Sequence, residues 1–331
     1  MAAWQSAAGF DAINLAAVHQ AEQLIAPYIV KTPVLQSSAL NKLLNGELFF
    51  KCENLQRTGA FKFRGACYAL LQLTAEQRAQ GVFTVSSGNH GAALACAGQM
   101  LNIAVHVAVP ITAPAFKKAN IARYGAKLTE IAAGMPARQA FIDEQQQAAD
   151  GALFIPPYNH ADIIVGQGTA ALELVKEISD LDCLITPVGG GGLLAGTSMV
   201  GHSQDITVYA AEPEKADDAW ASIQSGKIEP SRGVVSICDG LLTQLGELTF
   251  PIIQSDVAAI LKVSDSAVVE AMKLVWQELK IIIEPSSATV LAAVLAYPEL
   301  FANKTTGLIL SGGNLDVICL PWPVTPLEMK S

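Results

Sequence analysis

The chain has 331 residues, 51% of them apolar and 15% charged, and 21 basic against 30 acidic residues leave a net charge of -9. That length supports a large core and favours two domains over one, while the acidic balance and the lack of a Lys/Arg cluster exclude nucleic acid and anionic membranes and favour a small-molecule ligand. No stretch approaches a membrane span, no basic-then-apolar leader opens the chain, and six scattered cysteines without a C-x-x-C pair read as reduced, mostly buried thiols, so a cytosolic protein is expected.

Along the chain, short β-branched runs alternate with stretches of helical period, the pattern of βαβ units on a mostly parallel sheet. The strand "ELFFKCE" (47–53) leads to "TGAFKFRGA" (58–66), where Lys62 stands between Phe61 and Phe63. Its stem can lie along apolar surface with the ammonium in water. Alternatively, a buried amine with a lowered pKa is suited to Schiff-base chemistry. The strand "VFTVS" (82–86) runs into Ser86, Ser87, Gly88, Asn89 and His90 at the start of the helical "NHGAALACAGQML" (89–101). Ser and Asn cap helices, and His90 alone reads as a satisfied polar residue. Two hydroxyls, an amide and two glycines in six residues also form a cradle for a carboxylate or a ring hydroxyl.

The strands "IAVHVAV" (103–109) and "AKLTEI" (126–131) then alternate with the helical "APAFKKANIARYG" (113–125) and "ARQAFIDEQQQAAD" (137–150). Gly59 and the pair Pro156–Pro157 are the candidate crossings between domains. Beyond the helical "TAALELVKEI" (169–178), the strand "CLITPV" (183–188) feeds Gly189, Gly190, Gly191 and Gly192 before a helix opening near Leu193. Four bare glycines at a helix N-terminus favour a phosphate over a plain turn. Leu193 and Leu194 exclude a Walker A site, but Gly190, Gly192 and Ala195 satisfy G-x-G-x-x-A. The next strand, "ITVYAAE" (206–212), ends on Glu212, 20 residues past Gly192, where a ribose-binding acid would lie, so an NAD-dependent oxidoreductase is an alternative. The strand "AILKV" (259–263), the helical "SAVVEAMKLVWQEL" (266–279) and "SSATVLAAVLA" (286–296), and the strand "GLILSG" (307–312) follow. The last of these closes on Ser311, Gly312, Gly313 and Asn314, which offer a neutral hydroxyl at the sheet edge.

Five segments, "KCENLQRTGAFKFRGA", "SSGNHG", "GGGGLLAG", "AAEPEKADD" and "SGGN", stand in the order and approximate spacing of the pyridoxal-phosphate (PLP) enzymes of the serine racemase and serine/threonine dehydratase group. From about residue 20 to residue 317 the chain resembles that family. The resemblance implies an α/β fold of two open, mostly parallel twisted sheets flanked by helices, the fold-type II architecture. It implies a large domain of residues 1–53 and 150–331, a small domain of residues 54–149, the cofactor between them, and a homodimer. Lys62 would carry the cofactor as a Schiff base, Phe61 would pack near its ring, and Gly189, Gly190, Gly191 and Gly192 would hold its phosphate. Asn89 would meet the ring 3-hydroxyl and Ser311 the pyridine nitrogen. The loop Ser86, Ser87, Gly88, Asn89, His90 would receive the substrate carboxylate, with Arg138 closing over it, and Ser87 would be a second acid/base on the ring face opposite Lys62. Glu212, the Ala216 carbonyl and Asp218 match the family's site for Mg or Ca, ions suited to hard oxygen ligands.

On this resemblance the expected reaction is β-elimination of water from L-serine or L-threonine, giving a 2-oxo acid and ammonia, with serine racemisation in the same site. Dehydration of 3-hydroxyaspartate is the alternative. Cys238 stands before Asp239–Gly240 where the family commonly has Ala, which would put a thiol beside the cofactor. "PPYNH" (156–160) resembles the dehydratase and microbial racemase pattern rather than that of animal racemases, which argues against ATP activation, and no regulatory extension is expected after the last strand.

Overall fold

The computed structural model describes residues 11–86, 88–148, 151–233, 236–316, 318 and 320–322. Ten strands are assigned in chain order: β1 Val34–Leu35, β2 Glu47–Cys52, β3 Val82–Val85, β4 Val105–Pro110, β5 Lys127–Ile131, β6 Leu153–Phe154, β7 Cys183–Pro187, β8 Thr207–Pro213, β9 Ala259–Val263 and β10 Thr305–Leu310. They form a six-stranded sheet in the order β1-β2-β10-β7-β8-β9 and a four-stranded sheet in the order β5-β4-β3-β6. Only β1 runs antiparallel to its neighbour, and every other pairing is parallel. This is the expected architecture of two open, mostly parallel sheets with helices around them.

Parallel sheets are covered on both faces, so their strands read as unbroken apolar runs rather than as alternations. All of β7 is buried, as is β8 after its first residue. The chain leaves the six-stranded sheet after Cys52, builds the four-stranded sheet between residues 82 and 154, and returns at Cys183. The helix Lys62–Leu71 packs on both Asn89–Leu101 and Ala161–Glu177. One apolar core runs through them: Phe63, Ala93, Ile164 and Leu184 belong to the same buried cluster. Cys52, Cys67, Cys96, Cys183 and Cys238 are free and buried as expected, and Cys319 lies outside the described residues. Among the described residues no helix is long and apolar enough to cross a membrane.

Candidate active site

In open parallel sheets, ligands sit beyond the carboxyl ends of the strands. Here the carboxyl ends of β3, β4, β7 and β10 face a cavity of about 400 Å³ between the sheets. Its wall includes Phe61, Lys62, Ser86, Gly88, Asn89, His90, Arg138, Gly189, Gly190, Gly191, Gly192 and Ser311. Residues spread over some 250 positions of sequence are thus brought to one place. Ser87 lies outside the described residues.

Lys62 is the first residue of its helix, and the loop before it is pinned to the end of β10. Phe61 N donates to Ser311 O (2.9 Å), Gly313 N donates to Gly59 O (2.9 Å), and Ala60 bridges to Gly312. The Lys62 Nζ donates to the Pro157 carbonyl at 2.7 Å and lies 5.0 Å from the centre of the Phe61 ring. Burial lowers the pKa of its ammonium to about 8 against the opposing pull of the Glu284 carboxylate. The amine is thus held at a backbone carbonyl on the cavity wall, which favours the second of the two readings open in the sequence.

Two residues on, Arg64 is fully buried in an ion cluster. Its guanidinium donates to Glu53 (2.7 and 2.8 Å) and to Glu173 (2.8 and 2.8 Å), and Glu173 also accepts from Lys51 (2.7 Å). Burial raises the pKa of Glu173, but these two cations more than offset it and hold the carboxyl below its ordinary range.

The glycine loop ends β7 and opens the helix Gly192–His202. Gly191 has φ +87°, a conformation that needs glycine, and its carbonyl neighbour Gly190 O accepts from Thr249 Oγ1 (2.8 Å). A Cβ on Gly190 would lie 2.3 Å from the Tyr158 ring, so only glycine leaves the backbone open to the cavity there. Bare N–H groups at a helix start suit a phosphate.

On the opposite wall, Asn89 begins the helix Asn89–Leu101. Its Nδ2 donates to both Glu284 oxygens (2.9 and 3.1 Å), and its Oδ1 accepts from Asn314 Nδ2 (2.8 Å). His90 Nε2 donates to Ile155 O at 3.1 Å, and burial with nearby Lys62 pushes its pKa down to about 3, so the ring is neutral. Arg138 reaches the same cavity with no carboxylate partner among the described residues, and burial lowers its pKa as well. Lys117 pairs with Asp239 across the cavity, from the four-stranded-sheet side to the six-stranded-sheet side.

Two expectations change here. Glu212 does not face the glycine loop. It turns away at the end of β8, where its oxygens accept from Ala219 N and Trp220 N (2.8 Å each), which leaves no ribose-binding acid and overturns the dinucleotide reading. Cys238 does not line the cavity; Asp239, Gly240 and Leu241 do, while the thiol is fully buried in the core under the six-stranded sheet. Sequence reasoning also passed over Pro157, Tyr158, Lys117 and Glu284, all on the cavity wall. For Glu284 a signal existed: it is the sole charge between Ile281 and Tyr297.

Glu212, Ala216 and Asp218 lie together at the end of β8 and are all nearly fully buried. Among the described residues no group of three or more His, Cys, Asp or Glu side chains is arranged to hold a metal.

The family model described as "Pyridoxal-phosphate dependent enzyme" matches residues 25–312. Over 312 residues the chain is 46% identical to a serine racemase of Dictyostelium discoideum, covering 92% of this chain and 96% of that one. The crystal structure of Dictyostelium discoideum serine racemase superposes with a TM-score of 0.88 at 45% identity, covering 92% of this chain and 100% of that chain. A beta-hydroxyaspartate dehydratase of Paracoccus denitrificans is 43% identical over 304 residues, 91% of this chain and 96% of that one. A lysine of lowered pKa facing a glycine-rich helix start across one cavity fits those relatives, and the chain belongs to the pyridoxal-phosphate-dependent enzymes.

Proposed function

We propose that this enzyme eliminates water from 3-hydroxy amino acids, L-serine or L-threonine, to give a 2-oxo acid and ammonia, and racemises serine in the same site. The observation that carries the reading is Lys62, an amine of pKa about 8 held by a backbone carbonyl in a cavity opposite a bare glycine loop. PLP, when bound, supplies an electron sink for the charge that develops at the substrate α-carbon.

The chain's residues then have these tasks. Lys62, neutral in part near neutral pH, would hold the cofactor and would accept the substrate α-proton at Nζ. Gly189, Gly190, Gly191 and Gly192 present N–H groups to the phosphate, and Phe61 packs near the ring. Asn89 donates from Nδ2 to an oxygen in the cavity, and Ser311 offers a neutral hydroxyl where a carboxylate would protonate the ring. That choice favours loss of a β-hydroxyl over wider charge delocalisation. Ser86, Gly88, Asn89 and the neutral His90 line the wall for the substrate carboxylate, with Arg138 as its cationic partner. Ser87, outside the described residues, would be the second acid/base of the racemisation.

Dehydration of 3-hydroxyaspartate is the second reading, favoured by Lys117. Its ammonium lines the cavity and is held only by the half-exposed Asp239 carboxylate, so a second substrate carboxylate could replace that partner. A divalent cation, Mg or Ca, would be held by Glu212, the Ala216 carbonyl and Asp218, all of them buried. Both Asp218 oxygens are buried without a hydrogen-bond partner, an arrangement costly for a carboxylate unless an ion meets it. A homodimer is supported by exposed Leu55 and Ile282, in segments joined where Asn54 Nδ2 donates to Ile282 O.

The test is a product assay for 2-oxo acid and D-amino acid with L-serine, L-threonine and 3-hydroxyaspartate. Wild-type protein is expected to be yellow with PLP and active on at least one of them, and Lys62→Ala colourless and inactive. A colourless wild type at saturating PLP sinks the reading.

A further inference from the structure

Glu284 is buried on the cavity wall, directly before the helix Pro285–Ala296, and among the described residues no cationic group pairs with it. Both its oxygens accept from Asn89 Nδ2. The chain of contacts continues from Asn89 Oδ1 to Asn314 Nδ2 (2.8 Å), which also donates to Thr58 O (2.7 Å). Thr58 stands four residues before Lys62 with φ +62°, a strained conformation for a β-branched residue. Three side chains therefore tie together the helix that opens at Asn89, the end of the six-stranded sheet and the loop that carries Lys62. Glycines allow this closeness: a Cβ on Gly312 would lie 2.7 Å from Glu284 Oε1, and one on Gly59 would lie 2.6 Å from Asn314 Oδ1.

An asparagine amide can present either its oxygen or its nitrogen to a cavity. Here the oxygen is taken by Asn314 and the nitrogen is tied to a carboxylate, so Asn89 can offer the cavity only an N–H. We propose that Glu284 is a positioning residue of this active site: with Asn314 it fixes Asn89 as a donor toward the cavity, and its charge couples its own protonation to that of the Lys62 amine.

The electrostatics agree with the geometry. Burial pushes the Glu284 carboxyl up to about 7, with the Asn89 hydrogen bond and Lys117 opposing, Asp239 adding to the rise, and an Asn314 backbone hydrogen bond opposing. Lys62 lines the same cavity as Glu284, and there the Glu284 carboxylate acts against burial. The two groups thus change charge in neighbouring pH ranges. A carboxylate at 284 favours the ammonium, and a protonated one releases it.

The inference rests on the PLP reading for its ligand, but its test does not depend on turnover. Apoenzyme is mixed with PLP across pH 6–10, and the rate at which the visible band appears reports the neutral fraction of Lys62. In Glu284→Gln the midpoint is expected to fall by roughly half a pH unit or more, because a negative neighbour of the ammonium is gone. In Glu284→Asp, with the carboxylate withdrawn by one methylene, a smaller shift in the same direction is expected. The Asp variant serves alone if circular dichroism shows the Gln variant unfolded. An unmoved midpoint in the folded variants overturns the coupling. Asn314→Ser frees the Asn89 oxygen and is expected to weaken PLP binding at least threefold with the midpoint unmoved; unchanged PLP affinity overturns the positioning role. If wild-type protein forms no band at all, the PLP reading fails instead.

Discussion

Tyr158 packs its ring against the backbone of Gly190, so the phosphate cradle and the aromatic wall share one surface. In Gly190→Ala the new methyl has no room, because the atoms at 2.3 to 2.5 Å belong to a rigid ring. The ring has to move, or the loop does. Either change is expected to weaken PLP binding tenfold or more, about 1.4 kcal/mol, with the fold intact by circular dichroism; an absorbance titration with PLP measures it. Unaltered affinity would mean that the loop is not the cradle. The glycines, Lys62, Asn89 and Ser311 stood out in the sequence because each lies in a short motif, and the structure brings them to one cavity. Tyr158 and the Pro157 carbonyl were not. A backbone oxygen has no residue type to betray it, and a tyrosine acquires its role here only when residues 158 and 190 meet. Glu284 was visible as a lone charge in an apolar stretch, yet its partners Asn89 and Asn314 come from other elements.

The helix Lys62–Leu71 is held less by its own sequence than by what Arg64 reaches. Four buried charges, Lys51, Glu53, Arg64 and Glu173, join β2, the turn after it, this helix and the helix Ala161–Glu177. Thr32 completes the cluster by donating to Glu53 (2.6 Å) and accepting from Lys51 (2.8 Å). Removing one partner of a buried ion cluster leaves the others without compensation. Arg64→Met is therefore expected to destabilise by about 3–5 kcal/mol, read from urea unfolding of the holoenzyme. A loss below about 1 kcal/mol, the range of surface pairs, would show that the cluster is not a structural tie. Elements with a strong period were recognised near their true bounds: "AILKV" is β9, and "NHGAALACAGQML" is the helix Asn89–Leu101. The helix Ala161–Glu177 starts well before the "TAALELVKEI" that announced it. Its first half contains Gly166 and Gly168, poor helix formers retained for close packing; a Cβ at Gly166 would sit 2.7 Å from Gly65 Cα. The strands Val34–Leu35 and Leu153–Phe154 are two residues long and carry no periodicity to read.

Across the whole molecule, burial raises three acids furthest: Glu212 to about 8, Glu284 to about 7 and Asp218 to about 6, with the neighbouring Asp217 adding to the rise of Glu212 and Asp218. Each folded pKa lies above the ordinary carboxylate value, so these groups make stability fall as pH rises, while the lowered pKa values of His90, His106 and His160 act the other way until pH passes the ordinary histidine value of 6.5. A divalent cation held by Glu212 and Asp218 would stabilise their charged forms and offset two of the three. The Tm of chelated protein is therefore expected to drop by several degrees from about pH 6.5 to pH 8, and millimolar Mg or Ca to flatten most of that slope. Identical slopes with chelator and with either cation would contradict the cation site and leave only the share due to Glu284. A mostly parallel α/β architecture was readable from the alternation of runs and its division into two sheets from the family resemblance, but the order of strands was not, because parallel register and neighbour choice depend on contacts far apart in sequence.

That order has a consequence in time. β10, made well after both of its neighbours, pairs with β2 on one side and β7 on the other. Lys62 and all four glycines leave the ribosome long before it, but the two halves that hold them have no common strand until residues 305–310 arrive. Cofactor capture must therefore wait for that strand. In the interval β2 and β7 each expose a hydrogen-bonding edge that invites wrong pairing, and a chaperone is needed most before β10 fills the gap between them.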